Sequence, residues 1–211
     1  MTIEPTGTAS TGLVDRIKNI LLTPQAEWER IDAEPADVNK IYVGYVVPLC
    51  ALAAICGFIG LSVFGVSAFG VSYRVPLMTG LVSAVLQVVL GVAGVFLLAF
   101  VTNALAPTFG SQQNMGQAHK LAAYGSTAGF LSGVFAIFPP LAILSLVGLY
   151  SLYLLYVGLP KMMKTPDDKR VGYFITIILV AIVAWILVGA VMGSIRMAMG
   201  GMGGPPGFGI G

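Results

Sequence analysis

Between Ile41 and Pro160 the chain carries two formal charges, Arg74 and Lys120, and no acidic residue. No water-facing surface can be built from such a stretch, because domains folded in water carry roughly 25% charged residues. The whole chain has 9% charged and 57% hydrophobic residues, with a mean hydropathy of +0.91. The middle of the molecule is therefore solvated by lipid. All nine acidic residues lie either between Glu4 and Asp37 or at Asp167 and Asp168. No basic tract has the clustering of a nucleic-acid footprint, so nucleic acid is not an expected partner.

A helix needs about 20 apolar residues to cross a hydrocarbon core of about 30 Å. Five segments meet that requirement: Ile41 to about Gly65, Val75 to about Ala104, Leu121 to about Phe138, about Leu141 to Leu159, and Val171 to about Ile195. Continuous apolar character without period-two alternation predicts helices rather than a barrel. Pro139-Pro140 stops one helix and starts the next, which predicts a tight hairpin there. Cys50 and Cys56 fall within the first span and read as small buried hydrophobes, not as a disulfide or metal framework.

Basic residues orient the spans. With the N-terminus in the cytoplasm, that side holds Arg16, Lys18, Arg30, Lys40, Lys120, Lys161, Lys164, Lys169 and Arg170, and the far side holds Arg74 and Arg196. Residues 161 to 170 are then a short cytoplasmic turn. Five crossings place the C-terminus on the opposite side. Tyr156 and Tyr173 suit the flanking interfaces, where a ring is buried while its hydroxyl stays wet.

Before the first span, Leu13, Ile17, Ile20 and Leu21 recur at helical spacing, with Asp15, Arg16, Lys18 and Asn19 on the other face. Thr23-Pro24 is a start signal for a second helix, a hydroxyl cap followed by proline at the first helical position. Trp28 and Ile31 share a face of that helix. Two short amphipathic helices at the membrane surface or under the bundle follow. They either pack on the loop ends or offer a docking surface for a cytoplasmic partner, with Trp28 and Ile31 as its candidate residues. The tail, rich in glycine and proline, is expected to be disordered from residue 196 to 211.

Intramembrane charge marks transport or catalysis because it is expensive to keep there, and none of the five expected spans has Asp, Glu, Lys or Arg in its interior. His119 and Lys120 sit at the start of the third span and read as interface anchors. A lone histidine makes no zinc site, and no nucleophile elbow, metalloprotease motif or phosphate loop is present. No catalytic residue, metal site or cofactor is expected.

Small and neutral polar residues remain. Gly125, Gly129 and Gly133 repeat at four-residue spacing in the third span, and Gly189 and Gly193 in the fifth. Such faces allow helices to approach closely where lipid supplies no hydrophobic push. The partner is another span of the same chain or a second copy. Tyr150 and Tyr153 lie three apart on the fourth span, and Tyr124 is placed to face them across the proline hairpin. That cluster either holds the hairpin together or lines a polar cavity for a neutral solute or lipid headgroup.

Four stretches carry a family resemblance: "RIKNILLTPQAEWERI", "YVGYVVPL", "LAAYGSTAGFLSG" and "YLLYVGLPKMMKTPDDKRVGY". Together they resemble the bacterial branch of the Yip family, named in eukaryotes for interaction with Ypt/Rab GTPases, over about residues 13 to 195. The aspartate-leucine-aromatic-glycine-proline signature near the family's first span is represented here only by Tyr42, Gly44 and Pro48, without the acid, and the tyrosine-glycine pattern of its third span by Tyr124-Gly125. The resemblance implies a five-span helical membrane domain with a cytoplasmic N-terminal region, and it brings no catalytic residues.

The sequence thus predicts an all-α polytopic membrane protein: a cytoplasmic N-terminal region over 1–40, five transmembrane helices over 41–195, and a tail over 196–211. Its expected role is non-enzymatic, organising membrane or recruiting partners at the cytoplasmic face of a bacterial inner membrane. The alternative is a small transporter or channel for a neutral or lipidic substrate. Expected partners are the lipid bilayer and a cytoplasmic or membrane protein, with a homo-oligomer open.

Overall fold

The computed structural model describes residues 12–68 and 71–200. Two short helices open the chain, α1 (Leu13–Leu22) and α2 (Pro24–Ala33). The apolar stripe of α1 buries Ile20, and the matching stripe of α2 buries Trp28 and Ile31. Pro24 occupies the first turn of α2, where its missing N–H leaves no bond unmade. The Thr23 hydroxyl does not cap α2 as its position suggests. It donates back to the Asn19 carbonyl at 3.1 Å.

The first long helix runs from Val38 to Phe64. It starts as α3 (Val38–Ile41), where the Asp37 carboxylate accepts from the Lys40 amide at 3.0 Å. It then widens to π geometry over Tyr42–Val46 before continuing as α4 (Val47–Ile59). Pro48 supplies the cause. It has no N–H for the carbonyl four residues earlier and its ring crowds that carbonyl, so the chain takes the wider i→i+5 register just upstream. A second π stretch, Gly60–Phe64, ends at Gly65 with φ 73°, a left-handed value that glycine adopts without strain. A small antiparallel hairpin follows, β1 (Val66–Ala68) and β2 (Val71–Tyr73), with Val66 opposite Tyr73. It is the only sheet among the described residues.

The second long helix, α5 (Leu77–Leu105), continues as a 3-10 turn over Ala106–Phe109. Then come α6 (Met115–Gly125), α7 (Thr127–Ser132), 3-10 segments over Gly133–Ile137 and Pro139–Leu149, α8 (Tyr150–Met162) and α9 (Asp167–Gly200). Pro160 does not stop α8 at once; lying in the last turn, it leaves the helix to run on to Met162.

Among the described residues four helices are long and apolar enough to cross a membrane: Val38–Phe64, Leu77–Phe109, Pro140–Met162 and Asp167–Val191. The expected third span is not among them. Its residues are divided between α6, α7 and a 3-10 segment, with a bend at Ser126 (φ −82°, ψ 0°) and a change of helical type at Gly133. The glycines explain the division, since three missing side chains on one face draw the backbone close to its neighbours at the expense of regular geometry. A Cβ at Gly125 would lie 2.5 Å from Leu155, and one at Gly133 would lie 2.6 Å from Ala53. Residues 196–200, expected in the tail, belong to α9. The rest of the tail lies outside the described residues.

Burial concentrates at one end of the bundle. Trp28, Ile31, Leu121, Leu154, Leu159, Met163 and Tyr173 are fully enclosed where α1, α2, α6 and the α8–α9 turn meet. Away from that end the spans are thinly covered, with 11% and 6% of the spanning windows of α5 and α9 buried. Their outward faces suit lipid.

Candidate functional site

The enclosed end is built around charge. Arg16 of α1 is buried, and its guanidinium reaches two carboxylates at once: Nη1 to Glu27 Oε1 at 2.7 Å and Nη2 to Glu34 Oε1 at 2.5 Å. Arginine's rigid fork suits this double contact. The same guanidinium stands 5.4 Å over the Tyr124 ring. The second oxygen of Glu27 pairs with Arg30 at 3.1 Å. Neither carboxylate is stranded, which matters because an unpaired buried charge is strongly destabilising.

Lys120, 2% exposed, enters from α6 and ends at the C-terminus of α2. Its Nζ donates to the carbonyl of Ile31 at 2.8 Å and to that of Glu34. The Ile31 carbonyl also accepts from the capping Glu34 amide at 3.3 Å, so the ammonium adds a charged donor at the negative end of the helix dipole. Burial pushes the Lys120 ammonium below its usual range, while Glu34 and Asp32 pull the other way. Beside it Gln117 donates to Asp32 Oδ1 at 2.8 Å, and the other oxygen of Asp32 pairs with Lys164 at 2.5 Å. Lys161 pairs with Glu29 at 2.6 Å in an exposed setting. Lys161 in the last turn of α8 and Lys164 just after it, read as topogenic, thus also tie α2 to the bundle.

Neutral groups continue the network inward. The Tyr42 hydroxyl meets His119 Nδ1 at 2.9 Å, and burial holds the imidazole below its ordinary pKa. Thr127 donates to the Tyr124 carbonyl, so the Tyr45 hydroxyl, 2.7 Å from Thr127 Oγ1, is the donor of that pair. The Tyr45 and Tyr124 rings meet edge to face at 4.8 Å. The π segment of the first long helix carries both Tyr42 and Tyr45, so the register change caused by Pro48 sets both contacts.

The expected site residues fall out as follows. Trp28 and Ile31, both 0% exposed, form the floor of the α2 contact rather than an outward anchor. This corrects their reading as docking residues, and the cause lies at Gly158. A Cβ there would come within 2.8 Å of Trp28 and 2.6 Å of Leu121, so the indole occupies the room this glycine leaves. Tyr124 is drawn to Arg16 and Tyr45. Tyr150 and Tyr153 lie together, ring centroids 5.3 Å apart, but the Tyr150 hydroxyl donates to the Leu21 carbonyl at 3.0 Å. Tyr153 borders a hollow of about 380 Å³ with Leu22, Thr23, Pro24, Gln25 and Ala26. Gly125 packs on Leu155 and Gly133 on Ala53, and Gly129 donates its amide to Ser151 Oγ at 2.7 Å. Gly189 and Gly193 have open space where a side chain would be, so neither packs on another span of the described chain. Tyr173 is not at a wet interface: its hydroxyl donates to the Thr102 carbonyl and its ring stacks on Phe109 at 5.0 Å.

Sequence reasoning missed the Arg16–Glu27–Glu34–Lys120 arrangement. One signal was available, because Lys120 is a lone cation at the edge of an apolar segment and such a group requires a partner. Chemically, the arrangement clamps. It contains carboxylates, cations and phenols that satisfy one another, and among the described residues no three His, Cys, Asp or Glu side chains gather as metal ligands.

The Yip1 domain model matches residues 18–188. Inner membrane protein YohC of Escherichia coli strain K12 is 28% identical over 155 residues, covering 71% of this chain and 80% of YohC. The protein of the same name from E. coli O6:H1 gives the same identity and coverage. No solved structure matches.

Proposed function

The chain belongs to the Yip1 domain family, and from that premise we propose a non-enzymatic, multi-pass protein of the bacterial inner membrane that organises membrane or recruits a partner at its cytoplasmic face. The observation that carries this reading is the clamped α1–α2 hairpin. Arg16 joins α1 to α2 and Lys120 fixes the pair to the bundle from within, while Val14 and Leu22 of α1 stand 74% and 70% exposed. Exposed leucine and valine on an otherwise docked amphipathic helix are the features of a surface that meets lipid headgroups or another protein. The face on offer is the outer edge of α1, not Trp28.

The experiment places a photo-crosslinking side chain at Val14 or Leu22 in living cells, with Ile20, which is buried, as the control. Lipid or discrete protein adducts at the two outer positions and none at Ile20 are expected. Absence of adducts at both, together with unchanged membrane behaviour of the Val14→Asp and Leu22→Asp variants, would remove the proposal.

We also propose five crossings with the N-terminus in the cytoplasm. Supporting this, Gly133 lies against Ala53, and a Cβ at Gly60 would meet the Ala136 carbonyl, so α7 and its 3-10 continuation follow the first long helix to its far end. The transporter reading has one observation in its favour, the hollow beside Tyr153. Solute flux into reconstituted vesicles, lost in Tyr153→Phe, would move the assignment to that side.

A further inference from the structure

A second hollow, about 520 Å³, lies between α5 and the start of the first long helix and meets the clamp's network only at Tyr42. One wall is a single stripe of α5: Val89, Val92, Ala93, Phe96, Leu97 and Phe100. The spacing of three and four residues places all six on one helical face. The opposite wall is Tyr42, whose ring meets Phe96 edge to face at 6.3 Å. Val89, Phe96 and Phe100 remain more than half exposed, so the described chain leaves the groove open.

The chemistry of the groove narrows its occupant. Tyr42 brings its one polar atom, the hydroxyl, but His119 already holds it at 2.9 Å, and the His119 ring is itself packed on Phe96 at 5.0 Å. A ligand along the stripe meets hydrocarbon and aromatic edges only. A polar solute or an extended peptide would leave its hydrogen-bonding groups unsatisfied there, which is costly away from water. A second copy's helix is a poor fit as well. Close helix approach in lipid relies on small residues, whereas this stripe has bulky Phe96, Leu97 and Phe100 and one small residue, Ala93. Both walls belong to helices of membrane-spanning length, so the groove opens onto lipid. Its length agrees: from Val89 to Phe100 at 1.5 Å per residue is about 16 Å, roughly half of a hydrocarbon core of about 30 Å, or one leaflet. The Tyr42–His119 pair marks the end nearer the ion-paired cluster.

We propose that this groove is a lipid site holding one acyl chain of a phospholipid from the leaflet on the charged side. The chain lies along α5 with the Tyr42–His119 pair at the headgroup end. This goes beyond the proposed role of α1 and does not depend on it.

The test uses the full chain reconstituted in vesicles of phosphatidylethanolamine and phosphatidylglycerol containing a phosphatidylethanolamine with a diazirine in one acyl chain. Adducts mapped by mass spectrometry are expected on Tyr42 and the 89–100 stripe at roughly tenfold the yield on Leu179, Ile182 and Val183 of α9, a ratio equivalent to about 1.4 kcal/mol of preference. Ala93→Trp, which fills the groove from an exposed position, abolishes that excess, whereas Leu179→Trp leaves it. Even labelling over all outward faces would show bulk lipid only and overturn the assignment. Absence of lipid adducts on the stripe while α9 is labelled would also overturn it, as a face covered by something other than lipid.

Discussion

An ammonium group enclosed by apolar side chains stays only where something accepts its hydrogen bonds, and for Lys120 the acceptors are the last carbonyls of α2. Removing it takes the lysine donor from both carbonyls, leaving that of Ile31 with the Glu34 amide alone at 3.3 Å, and leaves Glu34 with Arg16 as its remaining cation. Lys120→Met, similar in length and without charge, is therefore expected to destabilise the α2 contact by about 3 kcal/mol. Hydrogen exchange over residues 24–33 in detergent should accelerate accordingly, and protection equal to the parent's would refute the capping role. Gly158 gives a second prediction of a different kind. A methyl group there overlaps the Trp28 ring and Leu121, and overpacking of this sort costs roughly 1–3 kcal/mol. Gly158→Ala should lower the thermal midpoint, and Gly158→Ala with Leu121→Ala should recover part of the loss. Neither role is written in local sequence. Lys120 reads as an interface anchor and Trp28 as an outward one until their surroundings are known, because the partners lie 89 and 130 residues away (Ile31 from Lys120, Trp28 from Gly158).

At the scale of elements, periodicity was informative where one face alone is buried. The stripe Leu13, Ile17, Ile20, Leu21 and the Thr23-Pro24 start both mark real helices, α1 and α2. It was uninformative inside lipid, where residues facing hydrocarbon and residues facing protein are equally apolar. The π register at Tyr42–Val46 and the division of the Leu121–Phe138 segment left no hydropathy signal for that reason; proline and glycine positions were the only traces. The contact of α6 with the first long helix has a pH dependence of definite sign. Burial lowers the His119 pKa, so between the folded and unfolded values the unfolded chain binds more protons and stability falls as pH falls. The loss begins near the ordinary histidine value of about 6.5 and grows downward through the folded value. Lowering pH from about 7.5 to about 5.5, above the usual carboxylate range, should reduce the thermal midpoint of the parent. His119→Gln should show a flatter profile, and equal slopes would mean that another group carries the effect.

For the whole molecule, topology depends on whether a broken helix crosses the membrane. Composition established the lipid-solvated class and the position of most apolar segments, since near-absence of charge over so long a stretch admits no other solvent. The number of crossings is a finer matter, because four uninterrupted helices return the chain to its starting side and a fifth path does not. Irregular backbone is tolerated at membrane depth where neighbouring helices cover it; after Ser126, Ser151 lies against Gly129 and Ala53 against Gly133, while Gly129 stays exposed and no residue of Gly133–Ile137 is buried. The basic residues agree, because with five crossings nine of the eleven stand on the N-terminal side. Reporter fusions active on one side of the membrane only, placed before residue 12 and after residue 211, should therefore give opposite signals. A third, in the Lys161–Arg170 turn, should match the N-terminal one. Agreement between the two ends would refute the five-crossing path.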